Sequence, residues 1–234
     1  MKSNRTGFLL AVLVLTIALV VPGCIILDGG GIGTTTTETF EETYAVTAGA
    51  RLDIRNQNGS ITIVAADGDS IVVRAVKHTN YGKSEFDKVQ IKVTKGDPFT
   101  VVTKIVREPA RVSVDYEIRV PRSMLVRTVV TTNGSIEATG VKGTMELRTS
   151  NGSVSAQNIE GAVRATTTNG NVTLRNVAAV TGASTTNGNL ETDGITLDNA
   201  TASKHSIRGD LGVPKGTLSA RTTNGNLTVH RLNP

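Results

Sequence analysis

Residues 131–184 read TTNGSIEATGVKGTMELR, TSNGSVSAQNIEGAVRAT and TTNGNVTLRNVAAVTGAS, three segments of 18 residues with Asn-Gly at the same position in each. The Asn-Gly pair occurs at Asn133, Asn151, Asn169 and Asn187, and returns at Asn224, 37 residues after Asn187. Self-similarity at a fixed interval is typical of repeat architectures. The fold is therefore predicted from this repeat outward.

Apolar residues recur at fixed positions within the repeats. One column, two residues after each Gly, is predicted to point inward and contains Ile136, Val154, Val172, Leu190, Leu211 and Leu227. A second column anchors the opposite turn and contains Val141, Ile159, Val177 and Ile195. Because no single repeat can bury its own apolar edge, the repeats must stack at about 4.8 Å per coil. The sequence predicts an all-β fold, a β-solenoid.

The Asn-Gly pairs are predicted to form the corners between strands. Gly takes positive φ without steric cost, Asn tolerates the left-handed region, and stacked Asn side chains can hydrogen-bond along the corner. The predicted corner residues are Asn58, Gly59, Asn133, Gly134, Asn151, Gly152, Asn169, Gly170, Asn187, Gly188, Asn224 and Gly225. Asn-Gly is also a strong hairpin signal, so an antiparallel meander is the alternative. Hairpins do not require the other columns to recur, which favours the solenoid.

The repeat becomes irregular between Asn187 and Asn224. Residues 206–211 read SIRGDL, where the other repeats have TTNGNL or a close variant. We interpret this segment as a degenerate fifth repeat, followed by a truncated sixth. Arg208-Gly-Asp210 copies an integrin-binding tripeptide, but its register coincides with the Asn-Gly corner, so it is predicted to be a turn variant.

Composition excludes several classes of protein. Aromatic residues make up 3% of the chain and Trp is absent, so the core must be aliphatic. One Cys and three His, at positions 78, 205 and 230, cannot build a zinc cage or a disulfide framework. No Gly-x-Ser-x-Gly segment is present. We expect no metal, no cofactor and no catalytic residue.

The N-terminal residues MKSNRTGFLLAVLVLTIALVVPGCIIL predict an export signal. A basic start precedes an apolar run from Phe8 to Val21, and a small residue precedes Cys24. Residues 21–24, VPGC, are similar to the prokaryotic lipobox, which predicts lipid attachment at Cys24 and a protein held outside the cytoplasm. As a helix the run spans only about 21 Å, short of a bilayer core, but an uncleaved spanning helix is the alternative.

The predicted organisation has four parts. They are a signal peptide over residues 1–23, the anchor Cys and a flexible Gly/Thr tether over 24–43, an N-terminal β portion over 44–128, and the solenoid over 129–234. Loss of the signal reduces the formal net charge from +5 to +3, and no basic run remains, so nucleic acid is not an expected partner. Glycan acceptor patterns begin at Asn58, Asn133, Asn151, Asn171, Asn199 and Asn226.

The chain resembles a bacterial and archaeal family of β-strand-repeat proteins known as putative adhesins, a domain of unknown function. The resemblance is carried by residues 44–54 (YAVTAGARLDI), 58–63 (NGSITI), 112–121 (VSVDYEIRVP) and the repeats. It covers residue 40 to the end. It implies a right-handed β-helix-like fold and a surface or envelope address, and it implies no reaction.

Two polar surfaces are candidates for binding. A column of Glu137 and Glu191, with Arg148 and Arg164 on the return strand, would be the site of a carbohydrate-active enzyme, but a solvated face explains these charges better. A hydroxyl-rich face suits weak contacts to an envelope polymer or protein and contains Thr131, Thr149, Thr166, Thr167, Thr168, Thr185, Thr186, Thr222 and Thr223. We expect a lipid-anchored, non-catalytic binding module; a structural or self-associating spacer is the alternative.

Overall fold

The chain is almost entirely β-structure. The computed structural model describes residues 35–194, 197–203, 205–211 and 216–230, and the all-β class is confirmed there. The strands are β1 Thr36–Ala45, β2 Arg51–Arg55, β3 Ile61–Ala66, β4 Ser70–Thr79, β5 Val89–Thr94, β6 Phe99–Ile105, β7 Ser113–Pro121, β8 Leu125–Val130, β9 Ile136–Thr139, β10 Met145–Arg148, β11 Val154–Asn169, β12 Val172–Asn187, β13 Leu190–Asp193, β14 Leu197–Ser203, β15 Ser206–Leu211, β16 Gly216–Asn224 and β17 Leu227–His230.

Helical structure is sparse in the same residues. A short 3-10 helix, Lys83–Lys88, precedes β5. Within the part of the chain that the structure describes, no helix has the length and apolar character needed to cross a bilayer. The signal peptide, Cys24 and the first part of the tether lie outside the described residues.

Two parallel sheets enclose the core. In the first sheet the strand order is β6, β2, β8, β10, the second half of β11, the second half of β12, and β16. In the second sheet it is β7, β3, β9, the first halves of β11 and β12, β13 and β17. Each Asn-Gly pair carries the chain from the first sheet to the second. The architecture is therefore solenoid-like, with parallel strands in register from coil to coil.

The core consists of aliphatic columns. Ile136, Val154, Val172 and Leu190 are at most 1% exposed, and Val141, Ile159 and Val177 are buried at the opposite turn. Leu227 lies in β17 directly opposite Leu190. Ile195 lies outside the described residues. No aromatic residue follows Tyr116 in the sequence, so the coils that stack beyond β8 have a core of Val, Ile, Leu, Met and Ala.

Sequence order and stacking order differ at the N-terminal end. The coil made by β2 and β3 is inserted between the coil β6–β7 and the coil β8–β9. Asn58 therefore stacks on Asn133, 75 residues later in the chain. The expected domain boundary at 128/129 falls inside β8, where the stack continues without interruption.

The predicted tether ends earlier than expected. β1 begins at Thr36 and pairs antiparallel with β4, so residues 36–43 belong to the folded part. Only every fourth side chain of this strand, at Thr36, Phe40 and Tyr44, is partly buried. Backbone pairing at the sheet edge holds the strand, and such pairing leaves no alternating apolar pattern in the sequence.

The predicted fifth repeat is wrong. β14, β15 and β16 pair antiparallel, so Leu211 lies in a hairpin strand opposite Leu197 and Gly216 and does not join the inward column. Asn187 stacks directly on Asn224, and the 37-residue interval is a single coil with an inserted hairpin. Arg208-Gly-Asp210 lies within β15, not in a turn. Without an Asn-Gly corner, this segment folds back as hairpin strands.

Replacement of Gly152 by Ala should destabilise the protein severely. A Cβ at this position would overlap the carbonyl oxygen of Gly134 in the adjacent coil, so the backbone of one coil must move. Gly96 also has positive φ (129°, against 152° for Gly152), but a Cβ added there would have no neighbour within 4 Å, which makes Gly96→Ala a matched control. We expect Gly152→Ala to cost at least about 2 kcal/mol more than the control in chemical denaturation. Equal losses would show that the close approach of the coils is unimportant.

Candidate binding surface

The Asn side chains of the corners form a continuous ladder. The Nδ2 of each Asn donates to the Oδ1 of the Asn in the preceding coil, over five hydrogen bonds of 2.7–2.8 Å. The rungs are Asn58, Asn133, Asn151, Asn169, Asn187 and Asn224. Five bonds fix the register of six coils, because each of the four interior amides both donates and accepts, while Asn58 accepts at one end and Asn224 donates at the other.

A second ladder lies inside the corner. The Thr two residues before each Asn donates its hydroxyl to the Gly carbonyl of the preceding coil, at 2.8–3.1 Å; these residues are Thr131, Thr149, Thr167, Thr185 and Thr222. They are 1–3% exposed, which corrects the prediction that they belong to an outer hydroxyl face. In the coil β2–β3, Asn56 replaces Thr and donates to the Val114 carbonyl at 2.8 Å.

A third ladder is formed by the residue that comes directly after each corner Gly. The backbone N–H two residues after each Asn donates to the side-chain oxygen at the same position of the preceding coil, starting at Asp115 and continuing through Ser60, Ser135, Ser153, Asn171, Asn189 and Asn226. The bonds measure 2.7–3.3 Å. These polar groups are therefore satisfied by the stack itself.

The hydroxyl column beside the Asn ladder faces solvent. It contains the exposed Thr132, Thr168, Thr186 and Thr223 and the half-buried Ser150, and together with the Asn rungs we name it the corner ridge. Among the described residues, the hydroxyls of Thr132, Ser150, Thr168 and Thr186 make no hydrogen bond. Parallel strand spacing separates successive hydroxyls by about 4.8 Å. The ridge is a regular array of hydrogen-bond donors and acceptors at the surface.

The charged residues considered for an enzyme site do not converge. Glu137 and Glu191 lie on the second sheet, three coils apart, or about 14 Å. Arg148 and Arg164 lie on the first sheet, on the other side of the core. Glu191 instead accepts a hydrogen bond from Arg175 at 3.2 Å. Glycosidase carboxylates must lie within about 5–10 Å of each other, so these residues form no such pair.

An ion pair that the sequence analysis did not predict joins β2 and β8 in the N-terminal coils. A register shift between β2 and β8 brings Arg127 beside Asp53, and Nε donates to Oδ1 at 2.8 Å. The hydrogen bond from Arg127 lowers the pKa of Asp53 below its usual value, against the opposing effect of burial. Arg51 likewise donates to Asp97 at 2.9 Å and lowers the pKa of that carboxyl. The partners lie 74 and 46 residues apart, and no local pattern signals them.

A groove opens at the N-terminal end, between β1, the 3-10 helix and β5. Its volume is about 750 Å³. It combines apolar side chains, among them Phe40, Phe86 and Ile91, with charged residues of both signs: Glu38, Lys77, Asp87, Lys92 and Lys104. It has the size of a small-molecule pocket.

The remaining predicted positions are dispersed. His78 contacts Asp115 at 3.0 Å, and within the described ranges no group of three or more His, Cys, Asp and Glu could hold a metal ion. Of the glycan acceptor positions, Asn133 and Asn151 use their amides in the ladder, and Asn171 accepts a backbone hydrogen bond. Asn199 lies in β14, and Asn226 is exposed next to the last corner.

Parallel coils stacked in register, with an exposed polar ridge along the Asn-Gly corners, define a β-repeat scaffold. Residues 51–230 match the Toastrack DUF4097 family, and the chain belongs to that family. A search of curated proteins gives no match.

A solved structure with a TM-score of 0.50 shares the fold at low sequence identity, and a second solved structure aligns with a lower score. A putative cell adhesion protein from Clostridium sporogenes aligns with a TM-score of 0.50 at 9% identity, covering 83% of this chain and 100% of that chain. A putative adhesin from Bacteroides fragilis aligns with a TM-score of 0.38 at 12% identity, covering 83% and 97%.

Replacement of Thr167 by Val should destabilise the fold, whereas the same change at Thr168 should not. Thr167 donates to the Gly152 carbonyl at 2.8 Å and is 2% exposed, and Val keeps its shape without the donor. The orphaned carbonyl should cost about 1–3 kcal/mol. Thr168, one residue away on the ridge, is exposed, and its replacement should change the free energy of unfolding by less than about 0.5 kcal/mol. Urea denaturation of both variants tests the assignment; a reversed order would contradict it.

Proposed function

We propose that this protein is a non-catalytic, adhesin-like binding module held at the cell envelope, and that its partner binds along the corner ridge. The observation that carries the proposal is the ridge itself, with exposed hydroxyls at Thr132, Thr168 and Thr186 in register beside the Asn ladder. A rigid array of equal spacing offers the same contact once per coil. Its affinity for a partner comes from the number of contacts.

The chemistry of the ridge favours an extended polar partner. Hydroxyl and amide groups both donate and accept hydrogen bonds, and they carry no net charge. An envelope polysaccharide or an extended protein segment presents repeating groups of the same kind. Since water competes for each hydrogen bond, single contacts are weak, and a short ligand should bind poorly.

The family and the fold support an adhesive role outside the cytoplasm. The structural neighbour from Clostridium sporogenes carries the description of a putative cell adhesion protein. The signal peptide, the lipobox-like VPGC at 21–24 and the Gly/Thr segment before β1 agree with such an address. In this arrangement Cys24 carries the lipid, and the residues up to Thr35 separate the folded part from the membrane.

Replacement of Cys24 by Ser should release the protein from the membrane. The wild-type protein, expressed in its own host, should have an N-terminal acylated Cys and partition with membranes, because two acyl chains anchor stably. Intact mass and fractionation are the measurements. An unprocessed Cys24→Ser chain that stays in the membrane would establish a spanning segment and contradict the lipid anchor.

Charges placed on the ridge should abolish binding to envelope material. Thr168→Lys combined with Thr186→Lys puts two cations on adjacent coils of the ridge, where they displace neutral donor and acceptor pairs. The matched control is Ser155→Lys with Thr173→Lys, two outward positions on adjacent coils of the second sheet. Pull-down of the solubilised protein with the polysaccharide and protein fractions of the host envelope measures binding, and circular dichroism checks the fold.

The two variants separate the proposed function from its alternatives. Loss of binding in the ridge variant alone supports the ridge. Equal binding by wild type and ridge variant would contradict it. If neither the polysaccharide fraction nor the protein fraction binds the wild-type protein, the result would favour the alternative of a structural spacer.

A further inference from the structure

The six Asn-Gly corners have the same local sequence chemistry but different hydrogen bonding. Asn-Gly is the dipeptide most prone to deamidation, because Gly has no Cβ to hinder attack of its backbone nitrogen on the Asn side chain. In the reaction the Gly nitrogen loses its proton and bonds to the Asn Cγ, and ammonia leaves. Water then opens the succinimide to an aspartate or an isoaspartate. Both groups must be free to move.

Inside the stack, both reacting groups are held. The Gly N–H of each of the first five corners donates to the Asn carbonyl of the next coil at 2.7–2.9 Å. The side-chain amides of Asn133, Asn151, Asn169 and Asn187 are also held at both ends, donating through Nδ2 and accepting through Oδ1. Reaction at these corners requires breaking hydrogen bonds of the ladder.

Among the described residues, the last corner, Asn224-Gly225, has fewer of these hydrogen bonds than the interior corners. Asn224 donates to Asn187 at 2.7 Å, but within the described residues no donor reaches its Oδ1 and no acceptor reaches the Gly225 N–H. Solvent exposure does not distinguish the corners, because Asn133, Asn151, Asn169, Asn187 and Asn224 are all exposed. What differs at Asn224 is the absence of a following coil among the residues described.

We propose that Asn224-Gly225 is the deamidation site of the folded protein and that the modification proceeds from this end of the ladder inward. An acidic residue at position 224 has no amide to donate to Asn187, and its carboxylate faces the Asn187 Oδ1. An isoaspartate also adds one methylene to the backbone and shifts β17 against β13. The Gly188 N–H, which donates to the Asn224 carbonyl at 2.9 Å, then loses its partner, and Asn187 becomes the next reactive corner.

The sequence allows all six corners to be measured in one experiment. Trypsin, which cleaves after Lys and Arg, places each Asn-Gly in a separate peptide, spanning residues 56–74, 128–142, 149–164, 165–175, 176–204 and 222–231. The folded protein is incubated in mildly alkaline buffer, and each peptide is followed over time by mass spectrometry. The same incubation in denaturing urea gives the intrinsic rate at each corner.

We expect similar rates at all six corners in urea. In the folded protein, Asn224 should react roughly tenfold faster than the four interior corners, a ratio that corresponds to about 1.4 kcal/mol, in the range of one or two hydrogen bonds. Modification of Asn187 should follow that of Asn224. Equal rates at Asn224 and the interior corners of the folded protein would overturn the proposal.

A variant tests the side-chain hydrogen bond of Asn224 separately from its backbone hydrogen bond. Asn224→Ser removes the Asn224 amide, while its backbone carbonyl can still accept from Gly188. If the side-chain rung restrains the reaction, Asn187 should deamidate several-fold faster in this variant than in wild type. An unchanged Asn187 rate would overturn the role given to the ladder.

Discussion

The close approach of successive coils at the Asn-Gly corner is the constraint on which the rest of the structure depends. At each Gly from Gly134 onward to Gly225 in the corner column, a Cβ would overlap the Gly carbonyl of the preceding coil. Only Gly lets the backbones meet at this distance while φ remains positive. Once they meet, the Asn, Thr and Ser/Asn ladders bring their donors and acceptors into register together. The corner therefore sets the strand spacing, and the strands in turn place the aliphatic columns over one another.

The same geometry divides the polar residues of the corner into two groups. Thr167 and its equivalents turn inward and satisfy carbonyls that would otherwise be buried without a partner. Thr168 and its equivalents, one residue later, face solvent because successive side chains of an extended chain point to opposite sides. A Thr-Thr-Asn-Gly segment thus supplies both internal structure and the outer surface proposed for binding. The inner hydroxyls are unavailable to a partner.

Antiparallel strands border the parallel stack at both ends of the first sheet. β5 pairs antiparallel with β6 at one end, and β15 with β16 at the other. On the second sheet, β4 and β1 extend the stack beyond β7 in the same way. Phe86, Phe99 and Tyr116 lie buried at this N-terminal end, where the core contains aromatic side chains that the coils beyond β8 lack. The change of strand direction interrupts the repeat that would template another coil.

Local sequence determined much of this protein. Composition and alternation indicate the β class, and residues such as Asn151, Gly152 and Val154 indicate the corners and the inward columns. These features are visible in the sequence because a steric requirement that recurs in every coil appears as a residue that recurs in every repeat. Tertiary structure alone decided the insertion of the coil β2–β3 between later strands, the hairpin that removes Leu211 from the column, and the pairing of Asp53 with Arg127. These features join residues far apart in the chain, and no periodic pattern encodes which partner a strand edge or a charge will meet. The inward orientation of Thr167 depends on both. The sequence shows that this Thr recurs in each repeat, but the hydrogen bond to the Gly carbonyl of the preceding coil decides that its side chain points inward.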